Sequence, residues 1–274
     1  MAHRPTTTIS ADDAGALTRV AELWGSRDVL GFLVWRDLKI RYRQTMLGVL
    51  WAVLQPVLMM ALFGVFFGRL AKIPSNGAPY PLFAFLGLLP WTFIANTVSE
   101  SGNSLVSNPD LITKVYVPRI FIPLAAVVAG LVDFGIAMTV LVALLLWYGI
   151  GLSGHVAALI PLVALMAMIS VAIGSGMAAL NVKYRDVRYA LPFFIQLWLF
   201  ATPVIYPSTL VPSRWRFLQL LNPVVGVVEG FRAAVLGSAF DTTAIAASVG
   251  VTAVLLLVSL RYFAYVEQSF ADVI

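Results

Sequence analysis

The sequence predicts an all-α membrane protein with six transmembrane helices, an N-terminal amphipathic interface helix and a re-entrant helical hairpin between the fifth and sixth spans. Three observations lead there. The 274 residues are 60% hydrophobic and only 11% charged, which is more apolar surface than one soluble core of this size can hide. Apolar runs of about twenty residues recur, the length that crosses a hydrocarbon core of about 30 Å as a helix. The runs are unbroken rather than alternating over about ten residues, which favours helices over a closed barrel, the other architecture that satisfies its backbone in lipid.

Residues 1–25 read as a cytoplasmic segment with little pattern. They contain no compact apolar run followed by a small-residue cleavage site, so no signal peptide is expected. Residues 26–43, SRDVLGFLVWRDLKIRYR, read as an amphipathic helix. Leu30, Leu33, Val34 and Leu38 recur at helical spacing and Arg36, Lys39 and Arg43 fall on another stripe. Asp37 and Arg41 stand at i,i+4 with the acid first, the favoured order for a pair. Such a helix is expected to lie flat in the cytoplasmic interface. It serves either as an anchor or, through its basic stripe, as a holder of an anionic lipid headgroup or pyrophosphate.

Residues 44–274 form a single transmembrane domain, with spans near 47–68, 80–101, 120–148, 156–180, 189–207 and 244–265. Six spans place both termini on one side. With the N-terminus in the cytoplasm, thirteen of the eighteen Lys and Arg fall on inner segments, and the positive-inside bias supports that orientation. The net charge of +5 is explained by topology and anionic headgroups, without nucleic acid. Between the fifth and sixth spans, residues 208–243 are apolar yet carry Arg214, Arg216, Glu229 and Arg232. Asn222-Pro223 breaks the run into pieces too short to cross, which suits a re-entrant hairpin on the outer side; two extra full spans are the alternative and require very short helices.

The loop after the second span supplies a short helix over 109–117. Asn108 is placed to cap it, Pro109 suits its first position, Asp110 complements the helix dipole and Pro118 stops it. Leu111 with Val115, and Ile112 with Tyr116, give it an apolar face for docking on another protein, although a plain turn between spans is the simpler account. The next inner loop, Asn181 to Tyr189, carries Lys183, Arg185 and Arg188, which topology alone explains or which support the same partner.

Aromatic residues run through the spans, among them Trp51, Phe63, Trp91, Phe194, Trp198 and Tyr206. They are packing or interface residues, or the lining of a channel along which sugar rings slide on aromatic faces. Asp133 within the third span is a functional candidate because an ionisable group at membrane depth is costly. Glu229 and Arg232, three residues apart, neutralise each other on one helical face or act as a pair in function. No cysteine is present and His3 and His155 are far apart, so neither a disulfide nor a metal site is expected. No G-x-x-x-x-G-K-[ST] loop occurs. If transport is ATP-driven, ATP and Mg are handled by another chain.

The ordered set of motifs is specific. Trp35 to Trp51 with Gln55-Pro56, then Tyr80-Pro81-Leu82-Phe83, Gly87-Leu88-Leu89-Pro90-Trp91, Asn108 to Pro118, Asn181 to Tyr189, Thr202-Pro203-Val204-Ile205-Tyr206-Pro207 and Asn222-Pro223 with Glu229-Gly230-Phe231-Arg232 resemble permease subunits of ABC-type polysaccharide exporters. Those subunits export O-antigen, teichoic acid and related lipid-linked glycans. The resemblance covers nearly the whole chain. It implies a homodimer in the bacterial inner (plasma) membrane, two copies of a separate ATP-binding subunit and a channel between the protomers.

By the same resemblance, Asn108, Pro109, Asp110, Leu111, Ile112, Val115 and Tyr116 belong to a coupling helix that docks on the ATPase. Arg36, Lys39, Arg41 and Arg43 flank a lateral gate for the diphosphate of an undecaprenyl-linked glycan, and Asn222, Pro223, Glu229 and Arg232 belong to an outer gate. Two alternatives share part of this pattern. An ABC exporter of lipids or drugs has the same topology. A membrane-embedded polyprenyl-phosphate transferase needs clustered acids or histidines at the cytoplasmic face, where the sequence offers only Asp110 and Asp186 on separate loops.

Overall fold

The structure, a computed structural model, describes residues 25–43, 50–114, 117–151, 153–184 and 186–267. The expectations for residues 1–24 and 44–49, for Val115, Tyr116 and Arg185, and for the side chain of Ile112 lie outside them. Among the described residues all regular structure is helical. The chain forms α1 (Arg27–Arg43), α2 (Leu50–Phe63) continued by a π-helical stretch Gly64–Leu70, α3 (Tyr80–Ser104), α4 (Pro109–Lys114) and α5 (Phe121–Tyr148). A 3₁₀ turn Val156–Ala158 leads into α6 (Leu159–Lys183), followed by α7 (Val187–Ala201), α8 (Arg216–Leu220), α9 (Pro223–Leu236) and α10 (Thr242–Glu267).

Among the described residues, five helices are long and apolar enough to cross a membrane: Leu50–Leu70, Tyr80–Ser104, Phe121–Tyr148, Val156–Lys183 and Thr242–Glu267. The fifth apolar run is shorter than expected. As α7 it has 15 residues, about 22 Å at 1.5 Å per residue, and stops at Ala201. The reason is local: Thr202 precedes Pro203, and the proline ring pushes the preceding residue out of the helical region, so Thr202 is extended at φ −104° and ψ 138°.

Helix α3 is the axis of the bundle. Phe83, Phe85, Leu86, Leu88, Leu89 and Ile94 along it are almost completely buried, packed against α5, α6 and α9. Small residues allow the helices to touch nearly backbone to backbone, the usual basis of helix association where no water is expelled. A Cβ at Gly174 of α6 would sit 2.5 Å from the Ser101 hydroxyl, and Thr97 donates to Ser170 Oγ at 2.9 Å across the same seam. Helix α7 runs antiparallel beside α3, since Leu191 meets Gly102, Trp198 meets Trp91, and the Ile205 carbonyl accepts from the Tyr80 hydroxyl at 2.8 Å.

The end of the bundle that carries α4 is closed by a second cluster. Leu105, Ile122, Val182, Phe263 and Val266 pack there with Leu111 at their edge. A third cluster holds α1: Leu33, 2% exposed, meets Phe121 and Ala125, with Leu30, Val34 and again Leu111 beside them. Further along, Arg41 reaches Asp133. Leu33 beside Phe121 and Ala125 and Arg41 beside Asp133 put α1 alongside the first turns of α5, running in the same direction, so protein packing and not lipid alone holds its inner face. Its outer face presents Phe32, Trp35 and Ile40, each more than half exposed.

Candidate functional site

Two regions collect the polar groups that this apolar bundle places at depth. The first is a cavity of about 250 Å³ between α1, α2, α3 and α5, walled by Trp51 and Gln55 of α2, Thr92, Asn96 and Glu100 of α3, and Gly130 and Asp133 of α5. Thr92, Asn96 and Glu100 stand one turn apart, so they form a polar stripe on one face of α3. The side-chain amides of Gln55 and Asn96 make no hydrogen bond with another described residue.

At one side of the cavity Arg41 lies between two carboxylates. Its Nη1 donates to Asp133 Oδ2, its Nη2 to Glu100 Oε2, and Tyr42 donates its hydroxyl to Asp133 Oδ1. This replaces the expected Asp37–Arg41 pair: Asp37 is taken by its neighbour Arg36 at 2.8 Å, while Asp133 and Glu100 present Arg41 with two acceptors. Burial opposes the Arg41 charge, but the carboxylates of Glu100 and Asp133 outweigh it and its pKa stands above the ordinary guanidinium value. Burial, then the hydrogen bond to Asp133, push the Tyr42 hydroxyl above the ordinary phenol value. One guanidinium against two carboxylates leaves an excess negative charge. A further anion beside it meets an excess of carboxylate and is disfavoured.

The four basic residues expected at a lateral gate are therefore not equivalent. Arg36 and Arg41 are engaged by carboxylates. Lys39 and Arg43 are exposed, and the Lys39 ammonium lies 4.4 Å over the Trp35 ring, a cation–π contact on the outer face of α1.

The second region is the loop between α7 and α8, which is clamped from three helices. Arg232 of α9, 3% exposed, donates from Nη1 to the Pro203 carbonyl at 2.7 Å and from Nη2 to the Val204 carbonyl at 2.6 Å. Its guanidinium lies 3.7 Å over the Phe83 ring. Glu229 accepts from Arg232 Nη1 and from the Ser208 amide, both at 3.2 Å. Asn222 caps α9, accepting from the Val224 amide at 3.1 Å and from Trp198 Nε1 at 3.0 Å, while its own amide donates to Thr202 Oγ1 at 2.9 Å. The Pro203 and Val204 carbonyls beyond the end of α7 are thus paired in a buried site, where an unpaired carbonyl is expensive. Pro223 opens α9 at its first position, as its missing N–H allows.

On the short loop helix, Pro109 and Asp110 are exposed and Leu111 is turned inward. Asn108 donates its side-chain amide back to the Ser104 carbonyl at 2.8 Å, while its backbone carbonyl accepts from the Leu111 amide at 3.2 Å. The aromatics also divide. Trp91 is 4% exposed and stacks edge-on against Trp198 with ring centroids 5.4 Å apart, so it is core of the subunit. Phe63 packs on the same core and the Tyr206 hydroxyl donates to the Phe200 carbonyl at 3.1 Å. Trp51 and Phe194 are half exposed or more, as are Phe193 and Phe200.

The sequence reading missed Glu100, Asn96, Tyr42 and Tyr80. The first two had a legible signal, since polar residues one turn apart within a span mark a face that is not lipid-exposed. Tyr42 and Tyr80 had none. Among the described residues no group of three or more His, Cys, Asp or Glu is placed to hold a metal ion.

With this geometry in hand, comparison with known proteins is informative. Residues 29–236 match the ABC-2 type transporter family. The chain is 34% identical over 257 residues to an O-antigen export system permease protein, RfbA, of Myxococcus xanthus, covering 92% of this chain and 98% of the relative. It is 27% identical over 248 residues to the protein of the same name from Klebsiella pneumoniae, covering 90% and 95%. It is 24% identical over 204 residues to the polysialic acid transport protein KpsM of Escherichia coli, covering 73% and 78%.

Proposed function

The chain belongs to the ABC-2 type transporter family, and from that premise we propose that it is the membrane subunit of an ABC-type exporter that moves lipid-linked polysaccharide, such as O-antigen, out of the cytoplasm. What carries the reading is the nearly end-to-end similarity to O-antigen export permeases. The work of ATP and Mg falls to a separate ATP-binding subunit, two copies of which pair with a homodimer of this chain in the bacterial inner membrane.

Both termini face the cytoplasm in this account, and α7 with its clamped loop makes the fifth of six crossings. Its antiparallel course beside α3 supports that count, because Ile205 reaches Tyr80 at the far end of α3 from Gly102. Helix α4, with the exposed Pro109 and Asp110, is the coupling element on which the ATPase pushes. The segment α8–α9 is a re-entrant outer gate, held shut on the 202–208 loop by Asn222, Glu229 and Arg232. Helix α1 borders the lateral gate, with Lys39 and Arg43 free to meet a diphosphate through charge-assisted hydrogen bonds and Arg36 and Arg41 already neutralised. The glycan slides past exposed rings such as Trp51 and Phe194 where two protomers meet.

The test is affinity purification of the tagged protein from gently solubilised native membranes. A stoichiometric co-purifying chain with ATPase activity supports the assignment. An ATP-silent protein purified alone contradicts it.

A further inference from the structure

The cavity beside α1 does not suit the charged part of such a substrate, and its chemistry points to the part that follows. Arg41, the one cation among the described residues of its wall, is held by both Glu100 and Asp133, so the described wall carries an excess of carboxylate and disfavours phosphate. Gln55 of α2 and Asn96 of α3, which make no hydrogen bond with another described residue, offer amides to the cavity, each with donors and an acceptor. Trp51, half exposed, supplies an aromatic face at the rim. Carboxylates and amides that accept and donate on the same wall, beside an aromatic face, match an uncharged ring bearing hydroxyl and amide groups. The volume of about 250 Å³ is below the roughly 300–1,000 Å³ of sites for drug-sized ligands, which fits one sugar ring and not a chain of them.

We propose that this cavity is a carbohydrate subsite that takes the first sugar of the lipid-linked glycan, while the diphosphate stays outside it at Lys39 and Arg43. The assignment rests on the exporter reading above. It makes Arg41 a positioning residue: by bridging Glu100 and Asp133 it sets the acceptors that the sugar hydroxyls meet.

The experiment compares two probes, undecaprenyl diphosphate and undecaprenyl-diphosphate-linked N-acetylglucosamine, binding to the purified protein in lipid nanodiscs together with any ATPase chain that accompanies it. The wild type is expected to prefer the sugar-bearing probe. Asn96→Leu is expected to weaken the sugar-bearing probe about tenfold, the scale of one or two lost hydrogen bonds, and to leave the bare diphosphate unchanged. Gln55→Leu, on a different helix, repeats the test should the Asn96 variant fail to assemble.

Equal binding of the two probes by the wild type, or equal weakening of both by the variants, overturns the subsite. Failure of the exporter reading has a different signature, namely that the wild type binds neither probe. If Lys39→Ala with Arg43→Ala leaves the bare diphosphate bound as before, the headgroup assignment falls while the subsite stands on the Asn96 result.

Discussion

Gly87 of α3 leaves room for Arg232 of α9 by having no side chain: a Cβ built on Gly87 would stand 2.7 Å from Arg232 Nη2 and 2.6 Å from the Val204 carbonyl oxygen it binds. The clamp on the 202–208 loop therefore depends on a missing methyl group as much as on the guanidinium. Gly87→Ala is expected to destabilise the protein by about 1–3 kcal/mol, the usual cost of one added carbon in a packed core. Gly250→Ala, where nothing lies within 4 Å, is the matched control and is expected to be neutral or slightly stabilising. Thermal unfolding of both variants in the same detergent checks the pair.

Arg232→Met is expected to be worse, by about 3–5 kcal/mol, because it strands Glu229 and two backbone carbonyls in a buried site. Arg232→Met combined with Glu229→Gln is expected to recover part of that loss, since the carboxylate no longer lacks its counter-charge. The clamp is wrong if the double variant is no more stable than the single one in a thermal or denaturant series.

Tyr42 donates to Asp133, and its hydroxyl pKa is raised. A tyrosine whose folded pKa is raised contributes stability that is complete below the unfolded value of about 10 and fades only as pH climbs through the folded value. Tyr42→Phe is expected to cost about 1 kcal/mol, with the difference from wild type constant from about pH 7 to about pH 9. A difference that shrinks over that range would show that the phenol ionises early and that the bond to Asp133 is not made as described.

Leu111 and Asp110 separate packing from coupling. Leu111 lies between the cluster that closes the bundle and the cluster that holds α1, so Leu111→Ala is expected to lower stability whether or not a partner is bound. Asp110 is exposed, and Asp110→Lys is expected to reduce ATPase co-purification and export even at temperatures well below the variant's melting point. Loss of stability with intact assembly in the Asp110 variant would remove α4 from the coupling role.

How much of this was legible in the sequence follows from the range of the signals. Helices set by length and apolar content were placed within a few residues, as for Tyr80–Ser104 and Phe121–Tyr148. The break at Asn222-Pro223 was visible because proline and a capping residue act locally. The end of α7 was carried too far, although Pro203 was in plain view, because the apolar residues beyond it, Val204 and Ile205, look like more span. Pairings across the bundle had no local mark: Arg41 stood four residues after Asp37 and bound Glu100 and Asp133 instead, and nothing near Arg232 announced that its partners would be carbonyls 28 and 29 residues earlier.

The central claim, export of a lipid-linked polysaccharide, is tested most directly by depleting the chain in the bacterium that makes it and following the glycan. The account expects surface polysaccharide to disappear while undecaprenyl-linked glycan accumulates on the cytoplasmic face of the inner membrane, and the wild-type gene to reverse both. Surface polysaccharide at its normal level, with no accumulation inside, would contradict it.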